Sequence, residues 1–412
     1  MSRPPSRPPG RSLLVQAKDL VTKCDRCGTC LPVCPLFRVL DLERASARGR
    51  NTIARGLAEG CLAPDRQARA AVEFCLLCRA CTDTCPNHVP TDEAMMRVRQ
   101  FFADEAGGPS SRYRLIGGLL RSRRLLRLGA SALGLTRRLR LGTWVPGRLL
   151  PREFPRDQYL AASAGPAVLA GSIPAPGVLP TPGCRVAYFQ GCGMRLLFPD
   201  ASRSTLNLLN RYSRVAVKGN GCCGLPHLAH GMGDTFLELA RSHIELYADA
   251  DIVVTDCASC GGALKHLASH FEADLRWQGP AAAFSAKVMD LTEYLVRMGY
   301  RGQGKRDITF TYHDPCHLAR GQGIRSQPRQ LLESVGHFVD MKEPDTCCGG
   351  AGTFHLDHPG AASQILACKR DNIECTGAGI VVTACPGCLI QLTRAAEASG
   401  GKFKAMHISQ VI

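Results

Sequence analysis

Cysteine is the residue type whose number and spacing in this chain could do chemistry. The sequence has 412 residues and 22 cysteines, and 18 of these cysteines fall into four spaced groups. The first two groups, residues 24–35 and 75–86, both read C-x2-C-x2-C-x3-C-P. The other two groups each have one cysteine, an adjacent Cys-Cys-Gly about thirty residues later, and a closing C-x2-C pair. Because thiolates are soft metal ligands, this order predicts metal centres.

The two N-terminal groups have the spacing of bacterial ferredoxins, in which three cysteines of one run and the fourth cysteine of the other bind each 4Fe–4S cluster. Pro35 and Pro86 follow the two fourth cysteines. Structural zinc sites are the alternative, but zinc frameworks seldom space four cysteines in this way. The predicted ligands are Cys24, Cys27, Cys30 and Cys85 for one cluster, and Cys75, Cys78, Cys81 and Cys34 for the other.

The two later groups are copies of one another, because Cys192 and Cys316 are 124 residues apart and Cys257 and Cys385 are 128 residues apart. A glycine after each adjacent pair lets the backbone turn tightly. Five soft ligands suit an iron–sulfur assembly larger or more open than a cube, and a zinc site that uses four of the five is the alternative. The predicted ligands are Cys192, Cys222, Cys223, Cys257 and Cys260 in the first copy, and Cys316, Cys347, Cys348, Cys385 and Cys388 in the second.

Short β-branched or aromatic runs precede the cysteines of both copies, and the sequence predicts helices between them, for example over residues 235–248 and 361–375. Strand, cysteine group and helix repeated in this way predict a parallel sheet. The carboxyl ends of parallel strands share one edge of the sheet, where ligands bind. We therefore expect the five thiols of each copy to meet at one place.

The predicted fold class combines α+β and α/β: a helical, ferredoxin-like domain with two clusters, then two duplicated α/β domains. We predict a disordered tail over residues 1–11 and the ferredoxin-type domain over residues 12–110. A basic helical region with a Pro/Gly linker follows over residues 111–182. The two α/β copies then occupy residues 183–300 and 301–412.

The formal net charge is +16, and residues 112–156 alone carry twelve arginines and one glutamate. Leucines alternate with these arginines, so a membrane surface or an acidic partner fits better than nucleic acid, for which no recognition motif is present. A solvated helix face is the alternative. Because no apolar signal segment or membrane-spanning run is visible, we expect a cytoplasmic protein, with the inner face of the cell membrane as a second predicted position.

The remaining cysteines and several histidines are weaker candidates. We expect His227 and His230 to lie at the surface. His313 and His317 flank Cys316, where a histidine could hydrogen-bond a cluster sulfur or make polar contacts at a sheet end. No flavin or nicotinamide site is visible, and no residue is predicted to be catalytic. The cysteines outside the groups, predicted to be buried thiols, are Cys61, Cys184, Cys368 and Cys375.

Longer motifs around the cysteines resemble a known family. GCCG at 221–224, HDPCHLARGQG at 313–323, CCGGAGTF at 347–354 and VVTACPGCLIQL at 381–392 resemble the cysteine-rich CCG domains of heterodisulfide reductase. Two ferredoxin motifs followed by two CCG domains are similar to the iron–sulfur subunit of bacterial glycolate oxidase and its D-lactate dehydrogenase relatives. The resemblance implies a non-cubane 4Fe–4S cluster in one or both five-cysteine sets, with zinc as the alternative there.

The resemblance also implies a function and partners. It implies an electron-transfer subunit that takes electrons from a FAD-containing 2-hydroxyacid dehydrogenase subunit in a hetero-oligomer and passes them to quinone or another carrier. Two alternatives remain open: disulfide reduction at a CCG-bound cluster, as in heterodisulfide reductase, and the iron–sulfur subunit of anaerobic glycerol-3-phosphate dehydrogenase. The first alternative is favoured by the complete C-x2-C pair in both copies, which the glycolate oxidase branch often reduces to one cysteine.

Overall fold

The computed structural model describes residues 10–126, 128–129, 131, 171–173, 184–302 and 304–412. The predicted tail and most of the predicted basic region and linker lie outside these residues. Helices α1 to α7 are Gly10–Val21, Pro35–Leu40, Ala47–Glu59, Arg66–Glu73, Ala80–Thr84, Thr91–Glu105 and Ser111–Arg121. Helices α8 to α14 are Cys192–Leu197, Pro199–Leu209, Leu225–Ala229, Gly233–Leu246, Ala258–Lys265, Gln278–Ala286 and Leu291–Arg297. Helices α15 to α19 are Cys316–Ala319, Ser326–Glu333, Phe354–Asp357, Pro359–Glu374 and Pro386–Ala398.

The described residues also form nine short strands and the 3-10 helices Glu43–Ala45, Leu267–Phe271 and Ile408–Gln410. Strands β1 to β5 are Gly171–Ile173, Val186–Tyr188, Val215–Val217, Ile252–Thr255 and Val288–Asp290. Strands β6 to β9 are Thr309–Tyr312, His337–Phe338, Ile380–Thr383 and Lys404–His407. No helix among the described residues is both long and apolar enough to cross a bilayer.

The chain contacts divide into two compact units. Unit 1 contains Met1–Gly117 and Pro226–Phe236, and unit 2 contains Gly118–Leu225 and Leu237–Ile412. Unit 1 is helical in its described part, and its apolar core includes Leu13, Ala54 and Val98 from α1, α3 and α6. The predicted helical, ferredoxin-like N-terminal region is therefore confirmed.

Unit 2 contains two mainly parallel sheets, one for each copy of the duplicated sequence. The strand orders are β1-β3-β2-β4-β5 and β7-β6-β8-β9. Val253 and Val254 on β4, and Val381 and Val382 on β8, are fully buried although their side chains point to opposite faces of the sheet. This burial on both faces is typical of parallel sheets covered by helices on each side.

The predicted parallel α/β copies are thus confirmed, with three differences. Strands β5 and β9 add a fourth parallel strand to each sheet, next to β4 and β8. They escaped prediction because neither segment precedes a cysteine group, and β9 contains Lys404 and Ala405, which are not strand formers. Strand β1 pairs antiparallel with β3 at the edge of the first sheet.

Two helices in the CCG copies were predicted closely. Helices α11 and α18 begin two residues before the predicted starts. Helix α6 of unit 1 begins at Thr91, and Pro90 stands in the cap position without a side-chain hydrogen bond.

Candidate metal centres

One cavity in unit 1 gathers the second ferredoxin set. Cys34, Cys75, Cys78 and Cys81 all line this cavity, together with Arg50 and Asp92. Cys34 comes from the first sequence motif, so the folded chain brings the fourth cysteine of one run to the three leading cysteines of the other. That convergence is what a cluster of four thiolates needs.

The two ferredoxin loops share an unusual backbone. Arg26 and Gly28 have φ angles of 59° and 89°, and the residues at the same positions of the second loop, Leu77 and Arg79, have φ angles of 54° and 62°. Three of these four are non-glycine residues in the left-handed region, which costs about 1–3 kcal/mol each and persists where function requires it. These positions curl each loop around its cysteines.

Buried arginine side chains in unit 1 fix the second loop. The Arg99 guanidinium donates to the carbonyl oxygens of Glu73 at 2.8 Å, Cys75 at 2.5 Å and Ala229 at 3.0 Å, and it also reaches Val72. Burial lowers the pKa of Arg99 from its ordinary value. This one side chain therefore satisfies the backbone at the start of the Cys75–Cys85 motif.

The first ferredoxin set lies nearer the surface. Cys27 is exposed, whereas Cys24, Cys30 and Cys85 are half-buried. Asn87 donates to the Lys23 carbonyl at 2.9 Å, so the segment after Cys85 is joined to the segment before Cys24. Burial raises the pKa of the Cys30 thiol, and a hydrogen bond with Thr29 lowers the pKa of Cys27.

In the first CCG copy the cysteines meet at the carboxyl edge of the sheet. Cys192 begins α8 and Cys257 caps α12, while the adjacent pair lies in the loop after β3. The sulfur atoms of Cys192 and Cys222 are 3.6 Å apart. Hydrogen bonds from the thiols of Cys222 and Cys260 lower the pKa of Cys223 well below its usual value. The arrangement thus favours a thiolate at Cys223.

The second CCG copy repeats this arrangement. The sulfur atoms of Cys348 and Cys388 are 3.4 Å apart, and hydrogen bonds from Cys347 and Cys388 lower the pKa of Cys348 well below its usual value. Cys316 begins α15 and is half-buried. Gly224 and Gly349 have φ angles of 95° and 77°, so the predicted tight turn after each adjacent cysteine pair is present.

The two CCG copies also contact one another through their cysteine edges. A hydrogen bond from Cys257 of the first copy lowers the pKa of Cys385 of the second copy well below its usual value. Ser259 lies 3.4 Å from the Cys385 sulfur, and the Ala258 amide donates to the Ala384 carbonyl at 2.9 Å. The two predicted sites are therefore neighbours within unit 2.

The donor chemistry fits iron–sulfur centres. The adjacent-pair and C-x2-C cysteines of both copies are buried. Hydrogen bonds from neighbouring thiols lower the pKa of Cys223, Cys348 and Cys385, which favours the thiolate form that binds metal. The His243 Nε2–H of the first copy donates to the Cys222 carbonyl at 2.8 Å, and burial lowers the pKa of His243 to about 4. That hydrogen bond fixes the loop that carries the adjacent pair.

Several sequence expectations outside the motifs were wrong. His227 is fully buried, and its Nε2–H donates to the Gly117 carbonyl at 3.0 Å within unit 1. His230 is half-buried and stacks on Tyr113 with ring centroids 3.7 Å apart. His227 lies in α10, a helix of five residues that is too short to show an amphipathic pattern, so the sequence gave no signal for this burial. Of the cysteines expected to be buried, Cys184 is half-buried, while the exposed ones are Cys61, Cys368 and Cys375.

Comparisons with known proteins agree with this architecture. The 4Fe-4S dicluster domain family matches residues 20–89, and the cysteine-rich domain family matches residues 186–265 and 310–393. The probable glycolate oxidase iron-sulfur subunit of Bacillus subtilis is 31% identical over 410 residues, which cover 94% of this chain and 92% of that protein. The glycolate oxidase iron-sulfur subunit of Escherichia coli is 26% identical, over 97% of this chain and 95% of its own length. Lactate utilization protein A of Shouchella clausii is 31% identical, over 55% of this chain and 98% of its own length.

A dicluster ferredoxin domain joined to two cysteine-rich domains defines an iron–sulfur protein of the electron-transfer type. Within this class, the family is shown by the 31% identity to the Bacillus subtilis protein over nearly the full length of both chains. The chain belongs to the glycolate oxidase iron–sulfur subunit family.

Proposed function

We propose that this chain is the electron-transfer subunit of a FAD-dependent 2-hydroxyacid dehydrogenase that oxidises glycolate or D-lactate. The flavin and the substrate site belong to a second subunit, and quinone or another carrier accepts the electrons. The observation that carries this proposal is the presence of four spaced cysteine sets, one of them gathered around a single cavity, in a chain whose relatives are named as glycolate oxidase iron-sulfur subunits. Iron–sulfur clusters supply one-electron chemistry when they are bound at such sets.

The proposed ligands are the four cysteine sets. Cys34, Cys75, Cys78 and Cys81 share one cavity and hold one 4Fe–4S cluster. A second ferredoxin-type cluster is held by Cys24, Cys27, Cys30 and Cys85. The five cysteines of each CCG copy hold a further iron–sulfur centre. An anaerobic preparation should then contain about sixteen iron and sixteen sulfide ions per chain. About eight of each, with stoichiometric zinc, would reassign the CCG copies to structural zinc sites.

Reduction by substrate tests the function. The chain is co-purified anaerobically with a FAD-containing partner, and glycolate or D-lactate is added while the visible absorbance of the clusters is followed. We expect bleaching within the complex, little bleaching in the isolated chain, and normal bleaching in a Cys61→Ser control, because Cys61 is exposed and outside the motifs. The proposal fails if both hydroxyacids leave the clusters of the complex oxidised.

Disulfide reduction is the second candidate function. It is favoured by the direct contact of Cys257 with Cys385 and by the complete, buried C-x2-C pair of each copy. The isolated, chemically reduced chain would then transfer electrons to a disulfide substrate without any flavoprotein. Thiol release from an asymmetric disulfide by wild type, and its loss in Cys385→Ser, would support this candidate over the first.

For location we propose the cytoplasm, with attachment to the inner face of the cell membrane. Helix α7 carries Leu115, which is 78% exposed, and Leu119, which is 44% exposed, among arginines. Exposed leucines beside arginines suit an anionic lipid surface. Co-sedimentation with anionic vesicles should weaken in a Leu115→Ser, Leu119→Ser variant, and equal binding by both proteins would argue against this position.

A further inference from the structure

The two CCG copies differ at one buried position next to their cysteines. His313 follows β6, and its amide donates to the Val382 carbonyl at 2.9 Å. Phe189 follows β2 and makes the same backbone contact, with its amide 2.8 Å from the Val254 carbonyl. His313 and Phe189 are therefore equivalent in the duplication. Both are buried, with exposures of 1% and 0%.

The His313 side chain faces the cysteines of the second copy. One of its ring nitrogens and the sulfur atoms of Cys348 and Cys388 all lie within 4.8 Å of one another. The His313 ring also hydrogen-bonds Cys348. Its Nδ1 atom is buried and has no hydrogen-bond partner. Burial of a polar atom without a hydrogen-bond partner lowers the stability of the fold, so we expect this ring to make a further interaction in the native protein.

In the first copy His243 Nδ1 is also buried without a hydrogen-bond partner. Among the described residues, however, no histidine nitrogen of that copy forms such a cluster with two cysteine sulfurs. Phe189 occupies the equivalent position, and its ring packs edge-on against His243 with centroids 5.1 Å apart. The His243 Nε2–H already donates a hydrogen bond to the Cys222 carbonyl. Among the described residues, His313, Cys348 and Cys388 form the mixed histidine and cysteine cluster, and the first copy has no counterpart.

We propose that His313 supplies a nitrogen ligand to the metal centre of the second CCG copy, so that the two CCG centres are chemically different. This inference rests on the proposed function, which places an iron–sulfur centre in that copy. The His313 imidazole is neutral, and where it takes the place of one of the five thiolates proposed above as ligands, the replacement raises the reduction potential of the cluster. The second CCG centre is then reduced more readily than the first, and electrons that reach the CCG pair collect in the second copy.

The experiment looks for the nitrogen itself. The full chain is prepared anaerobically with 15N-labelled histidine, and pulsed electron–nuclear double resonance is recorded on the paramagnetic signal of the second copy. That signal is identified as the one that a Cys388→Ser variant loses. We expect a 15N coupling in wild type and its loss in His313→Phe, which introduces the residue of the first copy and should fold for that reason.

His317→Gln is the matched control. His317 follows Cys316 directly, but its Nδ1 contacts the Ser259 hydroxyl at 3.1 Å, so the coupling should persist without it. In a redox titration we expect His313→Phe to shift the potential of the second centre downward and leave the ferredoxin-type signals unchanged. If His313→Phe fails to fold, His313→Gln replaces it.

Two results would overturn the inference. A second-copy signal without 15N coupling in wild type, or with coupling that survives in His313→Phe, removes the nitrogen ligand but leaves the electron-transfer function in place. A chain with no iron signal in the second copy removes both the ligand and the proposed CCG centre. Iron analysis of the same sample distinguishes these two failures.

Discussion

At the residue scale, the sequence located the cysteines but not the neighbours that constrain them. Spacing alone paired Cys34 with the second ferredoxin run, because that exchange is inherent in the repeated motif. Nothing in the spacing shows that Gly191 lies against Cys260, since this contact depends on how α8 and α12 pack. An ideal Cβ at Gly191 would lie 2.9 Å from the Cys260 sulfur.

Gly191→Ala is therefore expected to damage the first CCG centre. The φ of Gly191 is −61°, so alanine fits the backbone, and only the contact with the Cys260 sulfur opposes it. We expect loss of roughly a quarter of the iron, because one of four centres is affected. Iron analysis and electron paramagnetic resonance of the anaerobic protein measure this loss.

Pro315 provides the control for that substitution. It occupies the equivalent position before Cys316, with φ −61° and ψ 132°. Pro315→Ala removes atoms and introduces no clash, so its iron content should match wild type. Equal iron in Gly191→Ala and wild type would mean that the Cys260 side chain moves aside freely.

At the element scale, single buried cations hold the loops that carry the cysteines. Arg99 on α6 satisfies carbonyls at the start of the second ferredoxin motif, and Lys369 on α18 donates to the Glu343 carbonyl at 2.6 Å, just before Cys347. The hydrophobic and cysteine patterns predicted α18 itself and the helical N-terminal domain that contains α6. They could not show which charged residue turns inward, because a lysine or arginine on a helix is usually exposed.

Arg99→Met should destabilise unit 1. The change leaves the carbonyls of Glu73 and Cys75 without their donor, and each such loss costs about 1–3 kcal/mol. We expect a lower midpoint of anaerobic thermal unfolding and faster loss of one ferredoxin-type signal. Arg97→Met on the same helix is the control, and a similar drop in both variants would contradict a specific role of Arg99.

Lys369→Met should reduce stability in a pH-dependent way. Burial lowers the pKa of Lys369 to about 8 from an ordinary value of 10.5. Between these values the unfolded chain binds more protons than the native chain, so this group makes the wild type more stable as the pH rises from 8 to 10. The variant lacks that gain, and the stability difference between wild type and variant should widen over this range.

Anaerobic urea unfolding at pH 8 and pH 10 measures the effect of Lys369→Met. Lys402→Met serves as the control, because Lys402 is 67% exposed in its ion pair with Glu374 and exposed pairs contribute little. A difference between wild type and Lys369→Met that is constant over the pH range would show that the amine stays protonated in the native state.

At the scale of the whole molecule, the sequence predicted the duplication but not which segments pack into the same unit. The repeated cysteine spacing predicted two α/β copies, and two sheets are present. The contacts group Pro226–Phe236 with Met1–Gly117, although these residues lie inside the first copy in sequence. No motif marks this segment, because its role depends on tertiary contacts such as the one between Arg99 and Ala229. The predicted domain boundaries remain a prediction.

Removal of iron should affect the two units differently. Helices α2, α4 and α5 have six, eight and five residues, too short to persist alone, and the left-handed loop residues add strain. Unit 2 has large apolar cores of its own around its sheets. After oxidation and chelation, we expect hydrogen exchange to become fast in unit 1 and remain slow in β4 and β8. Equally fast exchange in both units would contradict this expectation.

The membership of Pro226–Phe236 in unit 1 has a consequence for biosynthesis. Roughly 120 residues separate Gly117 from Phe236, and at translation rates of about 5–20 residues per second their synthesis takes about 6–24 s. Most of unit 1 therefore leaves the ribosome long before its last segment is synthesised. Until then, Arg99 lacks its hydrogen bond to the Ala229 carbonyl. Slow codons in this interval would lengthen the period in which the nascent ferredoxin loops stay open to oxidants.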